Sequence, residues 1–461
     1  MAQTHQKILS LPNRPFWYEE SLERPALSGL VDADIAIVGA GYTGLWTAYY
    51  LLKRYPSLRV VILERQRVGF GASGRNGGWA SAIFPISLSR VAQMYSHSAA
   101  LSLQRAMNDT VDEIGRVLAE ENIDADYVKS GFLSLARTKP QLERVAAAVE
   151  SSTRFGLPEQ WQAIGAADAA DKVGADNVLG GLYTPHCALV HPGKLVRGLA
   201  HVVEKMGATI YEQSPVISIA QGHVQTANGA VQAETIVRAT EAFTCQQQDQ
   251  RRSVIPLYSL VLATEPLSAE QQRATRLEQR MAFNDMRHLR IYGQMTASGR
   301  LIFGGRGAPY HFGSRITDKD DLVDGVHTKI YDTLLELFPQ LDELSITHRW
   351  GGALGVSRDW CPTVSFDPAK RIGWAGNYVG DGVATSNLAG RILSNLIFNH
   401  DEEINRLPLV NHHSPIWEPE PFRWLGINSG LFAAGLSDFE ERLTNKPSRA
   451  AHLLEKLTGA H

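Results

Sequence analysis

Between Asp32 and Arg65 the chain reads DADIAIVGAGYTGLWTAYYLLKRYPSLRVVILER. No other stretch constrains its surroundings as strongly. Residues 35 to 38 form a short β-branched strand, followed at once by Gly39, Gly41 and Gly44 in the spacing G-x-G-x-x-G. The first glycine permits a tight turn, the second lets a pyrophosphate approach the backbone, and the third lets helix and strand pack closely. An apolar helix follows, with free N–H groups and a positive dipole end at its start. Glu64 closes the next strand, 20 residues beyond Gly44, placed to accept hydrogen bonds from a ribose diol. A bare glycine turn is a weak signal. The strand before it, the helix after it and the acid at that distance make it a site for the adenosine diphosphate half of a dinucleotide.

At 461 residues the chain is long for one hydrophobic core, so two domains are expected. A formal net charge of −3 leaves no basic surplus for nucleic acid or an anionic membrane. Cys187, Cys245 and Cys361 are odd in number and far apart, which fits neither a disulfide framework nor a metal set. A reducing, cytoplasmic setting and a metal-free protein are expected. No apolar run reaches the about 18 residues of a membrane span, and the first residues do not read as a secretory signal.

Residues 1–31 read as an extended lead-in, because Pro12, Pro15 and Pro25 oppose a helix, with Phe16, Trp17 and Tyr18 as anchors. The segment Arg67 to Pro85 is glycine-rich and nearly uncharged, as backbone is where it passes close to a ligand. Apolar spacing predicts a helix or helix pair over 90–122, a strand over 131–137, and helices over 140–150 and from His191-Pro192 to Gly207. One strand is expected over 208–220, then a hairpin turning at Asn228-Gly229. Residues 254–350 supply strands that could wall a cavity. Residues 370–398 read as strand, glycine loop and helix. The expected division is a lead-in (1–31), a discontinuous dinucleotide domain (32–90, 185–250 and 351–400), a substrate or cap domain (91–184 and 251–350) and a C-terminal cover (401–461). Two tryptophans, Trp417 and Trp424, are expected to pack that cover onto the body.

Four segments, in this order, resemble flavoprotein oxidoreductases of the D-amino acid oxidase superfamily. They are VGAGYTGLWTAYYL with Glu64, GFGASGRNGG, the ATEPL strand with GRLIFGG, and WAGNYVGDGVATSNLAG. The resemblance covers about Asp32 to Phe398 and is strongest to the gamma-glutamylputrescine oxidase-like branch, beside the glycine and sarcosine oxidases. It implies an α/β fold (α+β overall), with a Rossmann-like FAD-binding domain of the glutathione-reductase type interleaved with a smaller mixed-sheet substrate domain. Carried over residue by residue, Gly39, Gly41, Tyr42, Thr43 and Gly44 would hold the pyrophosphate, Glu64 the adenosine ribose, and Arg65 would lie beside the adenine. Gly71, Ala72, Ser73, Arg75, Asn76, Gly77 and Gly78 would follow the pyrophosphate and ribityl chain, with Ser73, Arg75 and Asn76 as donors. Val216 would bond the adenine through its backbone, and Thr240 and Glu241 would end a strand beside the cofactor. Gly352, Gly376, Gly380, Asp381, Gly382, Val383 and Ala384 would bring backbone and a helix N-terminus to the flavin. Such an end stabilises the negative charge that reduced flavin develops.

The implied reaction is oxidation of the C–N bond of a small primary or secondary amine or amino acid. Hydride passes from the α-carbon to flavin N5, the imine hydrolyses, and O2 reoxidises the flavin to give H2O2. The flavin is the redox element and the protein supplies position and electrostatics, so no nucleophilic triad is expected. Substrate-side candidates are Tyr258, Arg290, Tyr292, Arg306, His348, Trp350, Arg358, Tyr378 and Asp381, with Tyr258, Trp350, Tyr378 and Asp381 preferred as catalytic. An arginine would hold a carboxylate or phosphonate through its fork; an acid would suit a second ammonium. The sequence departs from the family in two places. Asp381 stands between two glycines where these oxidases often carry histidine, and the surroundings of Cys361, RDWCPTV, differ from members with covalently attached FAD. Four alternatives stay open: a dehydrogenase of the same fold with a non-oxygen acceptor, oxidation of a hydroxylated substrate, nicotinamide-driven monooxygenase or halogenase chemistry, and a non-enzymatic nucleotide-binding module. Oligomeric state is open as well.

Overall fold

The computed structural model describes residues 2–20, 23–317, 319–342 and 344–451. Its centre is the strand Gly29–Val38, flanked in parallel by Gly229–Arg238 and Val60–Leu63. The sheet extends in the order Thr363–Asp367, Ile372–Gly376, Gly229–Arg238, Gly29–Val38, Val60–Leu63, Thr209–Tyr211, and a hairpin of Val216–Ala220 and His223–Thr226 brings it to eight strands. Val60–Leu63 is buried at every position, the unbroken apolar run of a parallel strand covered on both faces. Helices Tyr42–Arg54, Pro192–Lys205 and Gly382–Ile397 cover one face, with Trp46, Leu51, Leu199, Leu388 and Ile392 in their shared core. The hairpin closes over the other face through Val224, Val231 and Ile236. These contacts fix where the two helices that face the site begin.

A second eight-stranded sheet runs in the order Ile346–Val356, Ile255–Pro266, Arg300–Gly305, Ile291–Met295, Ala282–Asp285, Phe132–Ala136, Gly180–Thr184, Gln162–Gly165. It is mixed: Ala282–Asp285 pairs in parallel with Phe132–Ala136 and the other neighbours are antiparallel. Helix Asp324–Leu337 packs on it, with Leu334 and Phe338 against Phe283 and Phe303. Positions 90 and 351 both lie inside elements, Leu88–Met94 and Ile346–Val356.

Four expectations change. The lead-in contains a helix, Ala2–Ser10, because its prolines all lie beyond it, and Pro12 follows closely enough to stop it. The first strand begins at Gly29 rather than Ile35. The expected strand over 208–220 is two, Thr209–Tyr211 and Val216–Ala220, parted where Gln213 takes a φ of 49° just before Pro215. In the tail, Trp417 is buried with its Nε1–H on the Val356 carbonyl (2.9 Å), but Trp424 is 40% exposed. Trp424 belongs to a helix, Phe422–Thr444, that buries Arg423, Ser437 and Glu441 instead. Among the described residues no helix is long and apolar enough to cross a membrane, and no cluster of His, Cys, Asp or Glu is placed to hold a metal ion.

Candidate active site

The glycine turn is built as its spacing requires. Gly39 has a φ of 110°, and a Cβ there would lie 2.5 Å from the Ala239 carbonyl oxygen. A Cβ on Gly44 would lie 2.1 Å from the Gly39 carbonyl oxygen, so this glycine lets helix Tyr42–Arg54 rest on its own turn. The turn opens into a cleft. Two helices begin at its wall, Tyr42–Arg54 at Gly41 and Gly382–Ile397 at Asp381, and neither N-cap side chain bonds its own helix. Ser73 Oγ accepts the Tyr42 N–H at 2.8 Å, which pins the glycine-rich loop to the first of these helix starts. Two positive dipole ends therefore face one cavity.

At one end of the cleft stands Glu64. Its Oε2 accepts the Ala40 N–H (3.0 Å) and its Oε1 the Gln66 N–H (2.9 Å). Each carboxylate oxygen keeps further acceptor capacity. Enclosure by protein raises the carboxyl above its ordinary range, against the lowering pull of those two N–H groups and Arg65. Val216 and Ser214 line the same end. The Arg65 guanidinium lies over the Phe243 ring (4.8 Å) and donates to Gln246 Oε1 (3.2 Å), joining the two sides of the cleft.

In the middle, Glu241 holds three segments together. It opens the short helix Glu241–Gln246 with a φ of 42°. Its Oε2 accepts the Gly355 N–H (2.5 Å) and its Oε1 the Tyr378 N–H (2.9 Å). The Tyr378 hydroxyl in turn lies 2.9 Å from Thr43 Oγ1 on the glycine-turn helix.

At the far end the closing loop meets the second sheet. Gly380 and Gly382 line the cleft and Asp381 lies between them. Arg306 donates Nη2–H to the Val379 carbonyl (2.5 Å), and its backbone N–H donates to the Arg290 carbonyl (2.9 Å). Both arginines act on Asp381. Burial pushes its carboxyl up to about 6, against the lowering influence of Arg306 and Arg290. Burial and the neighbouring Arg290 bring Arg306 down to about 10. Arg290 is exposed, and the protein around it lowers its guanidinium below the ordinary range against the raising influence of Asp381. The adjoining wall carries Tyr292, whose hydroxyl lies 2.7 Å from Ser259 Oγ.

The family model for FAD dependent oxidoreductases, DAO, matches residues 34–396. The chain belongs to this family. It is 29% identical over 392 residues to gamma-glutamylputrescine oxidoreductase of Escherichia coli, and 28% identical over 396 residues to the probable oxidoreductase OrdL of Haemophilus influenzae. Each match covers 84% of this chain and 88% of the relative. Among solved structures, glycine oxidase from Geobacillus kaustophilus has a TM-score of 0.69 at 21% identity, covering 83% of this chain and all of that one. L-Proline dehydrogenase from P. horikoshii has a TM-score of 0.67 at 19% identity, covering 82% and 96%. These two share the fold.

As a member of the DAO family the protein is an FAD-dependent oxidoreductase, and the cleft fits that cofactor. It is walled by the starts of two helices for a pyrophosphate and a flavin, with an acid that keeps acceptor capacity at the adenosine end. Among the residues anticipated as cofactor contacts, Gly39, Gly41, Tyr42, Thr43, Glu64, Arg65, Gly71, Ala72, Ser73, Asn76, Val216, Thr240, Glu241, Gly380, Gly382 and Val383 line it, and so does Tyr378. Gly44, Arg75, Gly77, Gly78, Gly352, Gly376, Asp381 and Ala384 are not in its wall.

Several side chains have other occupations. Arg75 ties the glycine-rich loop to the second sheet. It donates from Nε to the Phe70 carbonyl (2.9 Å) and from Nη1 to Asp321 Oδ2 (2.8 Å) and the Gly351 carbonyl (2.9 Å). Asn76 folds back on its own loop, donating to the Ala72 and Ser73 carbonyls and accepting the Gly78 N–H. Gly77 and Gly78 give room to Trp79 and Gln294 of the neighbouring walls. Trp350 is wholly buried beside Trp17, with its Nε1–H on the Arg75 carbonyl (2.9 Å). Tyr258 is buried in the second core and meets His311 edge-on, outside the cleft wall, its hydroxyl without a hydrogen-bond partner among the described residues. His348 bonds Thr347, and Arg358 pairs with Glu418 of the tail. Cys361 is a buried free thiol, also outside the wall.

Sequence reasoning missed Phe70, Phe243, Gln246, Gln247, Ala353 and Leu354, all in the wall. Phe70 sits inside the quoted glycine segment and was within reach. Phe243 and Gln246 lie on the 3-10 turn after Glu241, and no periodicity marks so short an element.

Proposed function

We propose that the protein oxidises the C–N bond of a small amine or amino acid bearing an anionic group. The carrying observation is the placement of two arginines against the loop that carries Asp381: Arg306 donates to the Val379 and Arg290 carbonyls where the cleft meets the second sheet. In this reading the first sheet with its helices binds the cofactor and the second walls the substrate. The relatives named gamma-glutamylputrescine oxidoreductase, glycine oxidase and sarcosine oxidase subunit beta support an amine or amino acid as substrate, and the first supports placement in its branch. The three free cysteines favour a reducing compartment such as the cytoplasm.

When bound, FAD takes up the electron pair and hydrogen that leave as the C–N single bond becomes an imine, which water then hydrolyses. The chain's own residues decide which molecule is oxidised. Arg290 and Arg306 bind and orient the anionic group by their forked donors. Asp381, ionised above about pH 6, takes a proton from the substrate ammonium, so that the amine is neutral when it reacts. The loop held by Glu241 and Tyr378 keeps the start of helix Gly382–Ile397 fixed against the cleft, so that no reorganisation accompanies the step.

The acid between Gly380 and Gly382 also favours a second reading, in which reaction with O2 is slow and a quinone or partner protein accepts the electrons. A negative charge there opposes charge on the reduced cofactor. Anaerobic reduction of the bound flavin by a panel of amines, amino acids, aminophosphonates and hydroxy acids, followed by admission of air, tests both. Bleaching by an amine with rapid recovery in air supports the oxidase. Sluggish recovery supports the second reading, and bleaching by hydroxy acids alone sinks both.

A further inference from the structure

The helix Phe422–Thr444 is inside out. Arg423, Ser437 and Glu441 are buried against the body. Asp438 accepts the N–H groups of His288 (2.7 Å) and Leu289 (2.9 Å), and Glu441 pairs with Arg144 (2.8 Å). Asn428 accepts the Tyr310 N–H (3.0 Å) and donates to the Tyr310 carbonyl (3.1 Å). Six of its large apolar side chains face outward: Phe422, Leu425, Phe432, Leu436, Phe439 and Leu443 are between 47% and 74% exposed, with Trp424 beside them at 40%, while Ile427 packs inward. A helix lying on a protein in water has the opposite arrangement.

The spacing of the outward residues identifies what covers them. Positions 422, 425, 429, 432, 436, 439 and 443 advance by alternating steps of three and four, and only Ser429 among them is polar. That is a heptad seam of period 3.5, the narrow stripe that packs against another helix. A membrane surface selects a broad apolar face with basic flanks. This helix instead carries Arg423 and Arg442 against Asp438, Glu440 and Glu441, a net charge of −1. Its 23 residues span about 34 Å. The six outward side chains present on the order of 700 Å² of apolar surface, close to the about 800 Å² that each partner contributes to a standard interface.

We propose that this seam pairs with the same seam of a second copy, making the protein a two-fold symmetric dimer. A symmetric interface uses one patch twice, so it must be complementary to itself, which a heptad stripe is. The inward face of the helix holds the 286–290 loop through Asp438, and Arg290 is the last residue of that loop. The dimer therefore stiffens the wall that carries Arg290. The dimer itself does not depend on the substrate reading.

The test is the solution mass of the full-length, FAD-loaded protein at micromolar concentration, by sedimentation or light scattering. The expected mass is twice the 50.7 kDa of one chain. Phe432→Glu and, separately, Leu436→Glu are expected to weaken dimerisation by on the order of 30-fold or more, as losing a buried interface anchor does. Flavin content should be unchanged, and Phe432→Leu should keep the dimer. A monomeric wild type overturns the proposal, and so does a dimer that survives both glutamate variants. A monomeric wild type that floats with phosphatidylcholine–phosphatidylglycerol vesicles assigns the face to lipid instead.

Discussion

The hydroxyl of Tyr378 lies 2.9 Å from Thr43 Oγ1, both side chains buried, 335 residues apart in the chain. One residue stands on the closing loop and the other on the first turn of the glycine-turn helix. Their contact ties the closing loop to the glycine-turn helix. Tyr378→Phe removes the hydroxyl and leaves Thr43 Oγ1 unsatisfied. Stability should fall by about 1–2 kcal/mol in denaturant titrations. FAD should release more readily, because the second helix start is no longer held to the first.

Glu64 is expected to carry the adenosine end. Glu64→Ala removes an acceptor for the ribose and leaves the Ala40 and Gln66 N–H groups without their present partner. A hydrogen bond to a charged group is worth about 1.5–3 kcal/mol, so FAD affinity should fall by on the order of 10- to 100-fold. Flavin fluorescence on titration of the apoprotein reads it directly. An unchanged dissociation constant would remove Glu64 from the site.

Arg75 separates structure from cofactor binding. Asp321, its buried partner, keeps Asn13 when Arg75 is lost. Arg75→Met should still destabilise the fold by on the order of 3 kcal/mol, as breaking buried ion pairs does, while FAD affinity stays within a few-fold. A selective loss of FAD affinity at unchanged stability would instead assign Arg75 to the phosphates.

Asp381 sets a pH dependence whose sign is fixed. Its carboxyl is raised from 3.8 to about 6 in the folded protein, so the native state holds a proton that the unfolded chain releases. Its contribution to stability is present below pH 3.8 and is lost as pH rises through about 6. Asp381→Asn should therefore match or exceed wild-type stability at neutral pH, and the two should converge in acid. Activity runs the other way. In wild type kcat/KM should rise through about pH 6 as the carboxylate forms, and in Asp381→Asn that limb should flatten.

Much of the cofactor cleft is local and therefore legible. Gly39, Gly41, Gly44 and Glu64 belong to one strand–turn–helix–strand unit, and the alternation of apolar runs marks its elements. Side chains whose partners lie far along the chain are not legible this way. Arg75 looked like a donor in an uncharged glycine loop, but its partners stand 246 and 276 residues away. Trp350 and Tyr258 lie on the expected strands, yet whether a strand residue faces a cavity or a core depends on how two sheets pack, and both went to cores. The tail helix showed the same limit. Its amphipathic pattern is plain in the sequence, but which face meets the body is decided by Arg144, Tyr310 and the backbone of 288–289.

The most direct measurement compares three molecules that share one carbon chain: an amine with a carboxylate, the same amine without it, and the hydroxy acid. Each is mixed anaerobically with wild type and Arg290→Met, and the rate of flavin bleaching is followed. The amino acid is expected to reduce wild type fastest. Arg290→Met is expected to raise the half-saturating concentration for the amino acid by on the order of 10- to 100-fold while leaving the plain amine unchanged. Reduction by the hydroxy acid alone, or equal loss for both amines, would contradict the proposed function.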